Sequence, residues 1–275
     1  MRPPVLFAAI ATVLMLTSCA TRYHVKTEGM ARVRYYRFAH KDVPLEFDGV
    51  SVVFASDFHY KSKFGDKRLR GTMATIERIA PDILMLGGDY KEGCGNIPAL
   101  FDALGSLDVP LGKYAVMGNN DYEECYDEIA DAMSRNGIRL LEHECDTIAR
   151  AGGRIIVAGV RNPFDPANLS SPTAGLSDDD FVILLVHTPD YAQDTDIAHT
   201  DLVLSGHTHG GQVTLFGYAP VIPSKYGQRF RTGLKHNDDG IPVIITNGLG
   251  TSRRNVRAFA PSEIVVIELR HAAED

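Results

Sequence analysis

Short apolar runs alternate with segments of helical periodicity in the first half of the chain. Three runs have the length of buried strands, at residues 50–56, 83–86 and 113–117. Residues 66–80 carry apolar side chains at the three- and four-residue spacing of a helix, which Pro81 ends. Further helices are predicted over residues 97–107 and 123–136, the latter stopped by Gly137.

The second half is richer in strands than the first. Strands are predicted over residues 139–141, 147–149, 154–160, 181–187, 201–205, 212–216, 243–246 and 263–269. A loop rich in Pro, Ser and Asp is predicted over residues 162–180. Because several strands are apolar throughout, their sheets are expected to be buried on both faces. The pattern predicts an α/β domain with ligand-bearing loops at the strand ends.

Five apolar runs end directly in a short polar motif. In chain order the motifs are Asp57-Phe58-His59, Gly88-Asp89, Gly118-Asn119-Asn120-Asp121, His187 and Gly206-His207-Thr208-His209. Each motif alone is weak, but all five at strand ends predict a site that binds two metal ions. Asp, Asn and His oxygens and nitrogens suit Mn²⁺, Fe or Zn²⁺ better than a thiolate set would. Such a pair holds a phosphoryl oxygen and stabilises the charge of an in-line displacement.

The N-terminus has the pattern of an export signal. Residues 5–16 are almost wholly apolar, which matches the core of a secretory signal and is too short to span a bilayer comfortably. Leu16-Thr17-Ser18-Cys19 then resembles a bacterial lipoprotein box. We therefore expect a signal peptide over residues 1–18, a lipidated Cys19 and an exported, membrane-anchored protein. An ordinary signal peptide with an incidental Cys is the alternative. Residues 19–48 are interpreted as a tether and an edge strand, followed by the folded domain over residues 49–275.

Composition limits the partners and the redox chemistry. The chain has 275 residues, 44% of them hydrophobic, which is ample for a buried core. A net charge of −7 argues against a nucleic-acid partner, but not against phosphate substrates, because bound metal ions supply positive charge. Cys94, Cys125 and Cys145 allow at most one disulfide and one free thiol. We expect them to be unpaired, and metal ligation is disfavoured because none forms a C-x-x-C pair.

The five motifs, in this order, resemble the signature of the calcineurin-like metallophosphoesterase superfamily. The similarity extends over residues 50–269, and segments 204–212, 247–251 and 259–264 are similar to a bacterial membrane-associated branch near the UDP-2,3-diacylglucosamine-hydrolase-like enzymes. The resemblance implies a four-layer αββα sandwich over residues 49–275 and two divalent metal ions. It implies that one ion is held by Asp57, His59 and His209. Asp89 would bridge, and the second ion would be held by Asn119, His187 and His207.

One position departs from the superfamily pattern. The third motif usually reads G-N-H-D or G-N-H-E, and its His protonates the leaving group or stabilises the transition state. Here that position is Asn120, whose carboxamide donates hydrogen bonds but no proton at neutral pH. Asp121 is expected to orient Asn120 or a nearby backbone group, with a plain turn role as the alternative. We assign both residues to the catalytic set.

The departure narrows the expected reaction. General acid catalysis contributes about 10²–10⁴-fold, and its loss matters least for good leaving groups. We therefore expect a hydrolase of phosphodiesters or pyrophosphates, acting on a phosphate-containing small molecule or lipid. The alternatives are a UDP-2,3-diacylglucosamine pyrophosphatase-type hydrolase and a catalytically weak metal- or phosphate-binding lipoprotein.

Several other polar residues have alternative interpretations. His143 is a second candidate acid, but a solvated surface His is favoured. Arg161 and Asn162 follow a strand and are candidates to approach a substrate phosphate, whereas Tyr60 and Tyr90 are candidates to line the pocket. Two basic clusters are interpreted either as solvated charge or as a rim for anionic head groups or polyphosphate. They are Lys225, Arg229 and Arg231, and Arg253, Arg254 and Arg257.

Overall fold

The computed structural model describes residues 23–25, 31–165 and 170–273, which form two mixed sheets. In chain order the strands are β1 Tyr23–Val25, β2 Arg32–His40, β3 Ser51–Ala55, β4 Ile83–Leu86, β5 Lys113–Ala115, β6 Ile138–Leu140, β7 Glu144–Arg150, β8 Gly153–Gly159, β9 Val182–Leu185, β10 Leu202–Ser205, β11 Gly233–His236, β12 Pro242–Ile245 and β13 Glu263–His271. The first sheet has the order β1-β2-β13-β3-β4-β5-β6, and the second has the order β11-β12-β10-β9-β8-β7.

The helices lie mostly in the first half of the chain. They are α1 Asp66–Ile79, α2 Ile97–Gly105, α3 Asn119–Glu123, α4 Tyr126–Arg135 and α5 Tyr191–Asp194. The end of α1 is set by Ala80, which has a left-handed backbone and precedes Pro81. α1, α2 and α4 each bury one apolar face, so they cover the outer face of the first sheet.

Alternating side chains along the strands separate the core into layers. In β3, Val53 and Ala55 pack with the helices, whereas Val52 and Phe54 pack between the two sheets. The outer face of the second sheet is covered by a smaller layer that includes Tyr191 of α5. The expected αββα sandwich is thus confirmed, with its fourth layer formed largely by α5, a short 3-10 turn at Gly227–Phe230 and loops.

The strand directions explain why the polar motifs meet. β3, β4 and β5 are parallel in the first sheet, and β9, β10 and β12 are parallel in the second. The carboxyl ends of parallel strands meet at one edge of a sheet, which is where α/β proteins bind ligands. The loops that follow β3, β4, β5, β9 and β10 carry the five motifs.

The structure differs from the sequence prediction at several elements. β2 lies between β1 and β13, so part of the proposed tether belongs to the first sheet. The helix predicted over residues 123–136 breaks at Cys125, whose φ of 69° is left-handed. The strand predicted over residues 212–216 was wrong, because Val213 forms only isolated bridges. β11 and α5 were not predicted.

The proposed export signal cannot be located in the fold. Residues 1–18 and Cys19 lie outside the described residues. Within the described ranges, no helix is both long and apolar enough to cross a membrane.

Candidate metal centre

The polar residues at the strand ends form two adjoining groups. The ligand atoms of Asp57, His59 and His209 lie within 4.8 Å of one another, and so do those of Asp89, His187 and His207. Asp89 joins the two groups, because its Oδ2 lies 3.4 Å from Nε2 of His59 and 3.5 Å from Nε2 of His187. This is the position that a bridging carboxylate requires.

Several residues at this edge have a backbone conformation that residues other than glycine rarely adopt. A left-handed φ occurs at Asp57, His59, Asp89, His207 and His209. Each costs of order 1 kcal/mol or more, and such strain concentrates at functional sites. Glycines permit the close approach of neighbouring loops. A Cβ on Gly206 would lie 2.2 Å from Oδ2 of Asp57, and one on Gly118 would lie 2.1 Å from Oδ1 of Asp89.

The carboxylates and imidazoles of the site shift one another's pKa values. Burial lowers the pKa of His59, but the carboxylates of Asp89 and Glu92 outweigh it and raise the pKa to about 10. Burial likewise lowers the pKa of His187, but the charge of Asp89 outweighs burial and the pKa rises to about 9. Both rings are therefore positively charged imidazolium groups at neutral pH, and each must lose a proton before it binds a metal ion.

The other two imidazoles remain neutral. Burial and the charge of His187 lower the pKa of His207 to about 3, with a smaller contribution from Arg253. Burial and the charge of His59 hold the pKa of His209 well below its usual range. Neutral imidazoles are the form that binds metal ions.

Two buried atoms test whether the site fits metal ions. Among the residues that the structure describes, Nε2 of His59 and Oδ1 of Asn119 are buried and have no hydrogen-bond partner. An unsatisfied buried polar atom costs about 1–3 kcal/mol unless a bound group satisfies it. Both atoms belong to residues proposed as ligands. The opposite ring nitrogens are held, His59 Nδ1 by Glu92 at 2.9 Å and His187 Nδ1 by the Gly87 carbonyl at 2.7 Å. This directs each Nε2 into the centre.

Asn120 is directed at the shared carboxylate. Its Nδ2 donates to Oδ2 of Asp89 at 2.8 Å, and its backbone N–H donates to Oδ1 at 3.0 Å. Asp121 is fully buried and accepts from the backbone N–H groups of Asp89, Tyr90 and Gly118. Asp121 was expected either to orient Asn120 or a nearby backbone group, or to have a plain turn role. Its contacts are those of a residue that orients the backbone. Burial and the charge of Asp89 raise the pKa of Asp121 to about 6.

Four other predictions about the site meet different contacts. Tyr90 does not line a pocket, because it is fully buried and its hydroxyl donates to the carbonyl of Val116. Tyr60 is 3% exposed and donates to Asp66. Arg161 pairs with Glu142 at 3.1 Å, and the N–H of Asn162 donates to a tyrosine hydroxyl. The proposed approach of Arg161 and Asn162 to a phosphate stays a prediction.

Sequence reasoning missed three residues that support or flank the centre. Glu92 holds His59, although only its position three residues after Asp89 signals it. Phe164 lies with its ring centroid 5.1 Å from that of His207 and is 46% exposed. Arg257 was assigned to a basic cluster, but it is largely buried and donates to the carbonyls of His209, Asn247 and Ala260.

The cysteines also behave differently from the prediction. Cys94 and Cys125 form a disulfide with a Cα–Cα distance of 5.7 Å, so the expectation that they are unpaired was wrong. Cys145 is half-buried and forms no disulfide with any cysteine that the structure describes. The disulfide links the segment after Asp89 to the segment after Asp121, and therefore joins two loops of the metal centre.

Two packed sheets with paired clusters of carboxylate, amide and imidazole groups at their strand ends define a two-metal hydrolase. The sequence profile of the calcineurin-like phosphoesterases matches residues 50–211, and the chain belongs to this family. The protein is thus a metal-dependent phosphoester hydrolase, as the motifs predicted.

Relatives from two bacteria match most of the chain. An uncharacterized metallophosphoesterase of Bacillus subtilis, YkuE, is 32% identical over 238 residues, covering 83% of this chain and 82% of its own length. An uncharacterized metallophosphoesterase of Aquifex aeolicus is 29% identical over 248 residues, with 87% and 92% covered. Among solved structures, a 5'-nucleotidase precursor from Thermus thermophilus has a TM-score of 0.47 and 11% identity over 80% of this chain and 54% of its own.

Proposed function

We propose that this protein hydrolyses phosphodiester or pyrophosphate bonds, and that its substrates include lipid-linked phosphates. The observation that carries the proposal is the carboxamide of Asn120, which donates to Asp89 at 2.8 Å and has no proton to give a leaving group. Phosphodiester and pyrophosphate cleavage with a good leaving group depends least on a general acid.

The residues of the centre supply the remaining functions. Two divalent ions bound by these groups would supply Lewis-acid stabilisation of a phosphoryl oxygen and a nucleophilic water. Asp57, His59 and His209 would hold one ion, and Asn119, His187 and His207 the other, with Asp89 shared. Asn120 fixes the orientation of Asp89, and Asp121 fixes the two loops that carry Asp89 and Asn119. Manganese, iron and zinc are the proposed metals, because the donors are oxygen and imidazole nitrogen.

The test compares the wild type with Asn120→His on a chromogenic aryl diester and on an alkyl phosphate monoester, whose poor leaving group needs a general acid, with Mn²⁺, Zn²⁺ or Mg²⁺. We expect the wild type to prefer the diester. The variant should gain about 10²-fold or more on the monoester, because a general acid is restored. Asn120→Ala is the control, since it removes the amide without adding an acid. Faster monoester than diester cleavage by the wild type would refute the proposal.

A second candidate function is weak or absent turnover at an intact binding site. It is favoured by the same hydrogen bond, because an amide that is engaged with Asp89 is less available to a substrate. Calorimetric titration with Mn²⁺, followed by the diester assay on the same sample, separates the two functions. Metal binding without turnover supports a binding protein, whereas turnover supports the hydrolase.

We further propose that the protein is an exported lipoprotein anchored through Cys19. The support is the apolar run over residues 5–16 and the lipoprotein box that follows it. An exported site would not meet a cytosolic nucleotide-linked lipid, which argues against the UDP-2,3-diacylglucosamine alternative. Radiolabelled lipid should be incorporated by the wild type and not by Cys19→Ser.

A further inference from the structure

Seven large apolar side chains are exposed on two loops next to the metal centre. We call this surface the apolar tip, and its members are Val213, Leu215, Phe216, Tyr218, Val221, Val256 and Phe259. Phe216 is 100% exposed, Phe259 82% and Val221 71%. Scattered exposed apolar residues are normal in proteins, whereas several large ones on two neighbouring loops mark a candidate contact surface.

The two loops are joined to each other and to the centre. The backbone N–H of Thr214 donates to Ala258 at 2.9 Å, and that of Ala258 donates to Gln212 at 2.8 Å. The first loop begins three residues after His209. The second loop is held by Arg257, whose guanidinium donates to the His209 carbonyl at 3.2 Å. The position of the tip relative to the metal centre is therefore set by direct hydrogen bonds.

Phe216 sits in a turn that does not favour it. The turn from Leu215 to Tyr218 is closed by two backbone hydrogen bonds, and its central residues Phe216 and Gly217 have φ of 49° and 84°. Asn-Gly is the preferred pair for two left-handed positions, whereas a bulky residue there is strained. A strained and fully exposed Phe is not packed against any of the described residues, which favours a contact beyond them.

The charge around the tip is opposite to that of the whole protein. Residues 212–225 and 250–262 contain Lys225, Arg253, Arg254 and Arg257 and no carboxylate, in a chain of net charge −7. Lys225 pairs with Asp194, and Arg257 is largely buried. Arg253 and Arg254 are exposed, and no ion pair is found for either among the residues the structure describes. Exposed arginines beside an apolar surface attract anionic head groups.

We propose that the apolar tip inserts into the interface of an anionic phospholipid bilayer, so that the metal centre lies beside the membrane surface. An anionic bilayer fits better than a second copy of the chain, because the tip protrudes at a turn and two copies meeting at this surface would bring their exposed Arg253 and Arg254 together. The proposal is independent of which bond the centre hydrolyses and of whether Cys19 is lipidated.

The chain contains no tryptophan, so a substitution introduces a single fluorescent reporter. The full chain with Phe216→Trp is bound to vesicles of phosphatidylglycerol and brominated phosphatidylcholine. We expect the emission to shift to shorter wavelength and to be quenched by bromine. The control is Leu45→Trp, because Leu45 is 70% exposed. It also lies at the other end of the first sheet, in the 3-10 turn at Leu45–Phe47, next to the carboxyl end of β13.

Two further variants test the physical basis. The double variant Arg253→Glu, Arg254→Glu, made in the Phe216→Trp chain, should lose most of the quenching on anionic vesicles. Phe216→Asn should unfold at the same or a higher temperature than the wild type, because Asn tolerates the left-handed turn. Phe216→Asn is also made in a Phe259→Trp chain. There, the lipid concentration that gives half-maximal quenching should rise about tenfold, because one large apolar side chain is no longer transferred from water to the bilayer.

Three outcomes would overturn the proposal. The first is that the Phe216→Trp chain does not associate with the vesicles, or that it associates and its emission is not quenched. The second is equal quenching of the Leu45→Trp control. The third is a blue shift of the Phe216→Trp chain that follows protein concentration without lipid, which would identify the tip as a contact between copies of this chain. None of these readouts depends on activity, so they are separate from failure of the proposed hydrolysis.

Discussion

Single residues outside the ligand set decide how the centre is presented to a metal ion. Glu92 is about half exposed, yet its carboxylate lies 2.9 Å from Nδ1 of His59. This contact keeps Nε2 of His59 directed at the centre, where it is buried and accepts or donates no hydrogen bond among the described residues. Outer carboxylates of this kind fix the tautomer and orientation of a metal-binding imidazole.

Glu92→Ala is expected to lower Mn²⁺ affinity by about 10–100-fold, because His59 loses the partner that orients it. Calorimetric titration of the metal-free protein measures the effect. Glu77→Ala, on the exposed face of α1, is the matched control and should bind as the wild type does. Equal affinity of the Glu92→Ala variant and the wild type would show that Glu92 has no role in metal binding.

At the scale of elements, three contacts join the loops after β4 and β5. Asp121 accepts from the backbone of both loops. Lys91 pairs with Glu124 at 3.2 Å, and Cys94 is bonded to Cys125. The ion pair and the disulfide join residues 33 and 31 positions apart in sequence, so strand and helix patterns do not reveal them.

The Cys94→Ser, Cys125→Ser double variant is expected to lose about 2–4 kcal/mol of unfolding free energy, as for a disulfide that closes a loop of this length. The two cysteines are 31 residues apart. Urea denaturation under oxidising conditions gives the difference, and reduction of the wild type should reproduce it. Cys145→Ser is the control, because Cys145 is free. A double variant as stable as Cys145→Ser would contradict a structural role for the disulfide.

At the scale of the whole molecule, β2 changes where the fold begins. All nine residues from Arg32 to His40 pair in parallel with β13, from Glu263 to His271. Tyr36 and Phe38 contribute to the core between the sheets. In addition, Arg32 and Arg34 form ion pairs with the buried Glu263.

A chain that begins at residue 49 should therefore be insoluble or unfolded, whereas one that begins at residue 23 should fold. The reason is that the shorter chain exposes β13 and leaves the charge of Glu263 buried and unpaired, which costs several kcal/mol. Circular dichroism and thermal unfolding of the two chains provide the measurement. Cooperative unfolding of the shorter chain would show that β2 is dispensable.

The whole-molecule response to pH follows from the raised pKa values of His59 and His187. The ordinary value is 6.5, and the folded values are about 10 and about 9. Their imidazolium forms stabilise the metal-free protein fully below the ordinary value, and this contribution is lost as the pH rises through about 9 and 10. Metal binding displaces the same protons, so metal affinity should rise with pH over this window.

Mn²⁺ should accordingly bind more tightly at pH 8 than at pH 7, by about tenfold per pH unit for each proton displaced. Titration calorimetry in buffers of different ionisation enthalpy measures both the affinity and the proton release. An affinity independent of pH, with no dependence on the buffer, would show that the two imidazoles are already neutral before metal binds.

Local patterns were sufficient for most of the fold and for the residues of the metal centre. Apolar runs in the sequence marked β3, β4, β9 and β10. The meeting of the polar motifs that follow them was predicted by a general rule, that the carboxyl ends of parallel strands lie at one edge of a sheet. Such features depend on neighbours in sequence, which is why one sequence reveals them. The helix break at Cys125 and the absent strand at residues 212–216 depend on backbone angles that composition does not specify.

Contacts between distant segments required the tertiary structure. The pairing of Cys94 with Cys125, the burial of Arg257 and the interior position of β2 each join parts of the chain far apart in sequence. The exposed tip is a further case, since Phe216 and Phe259 read as ordinary core residues until the fold leaves them in solvent. Burial and distance are properties of the packed chain, so they decide which polar and apolar residues are left to act on something else.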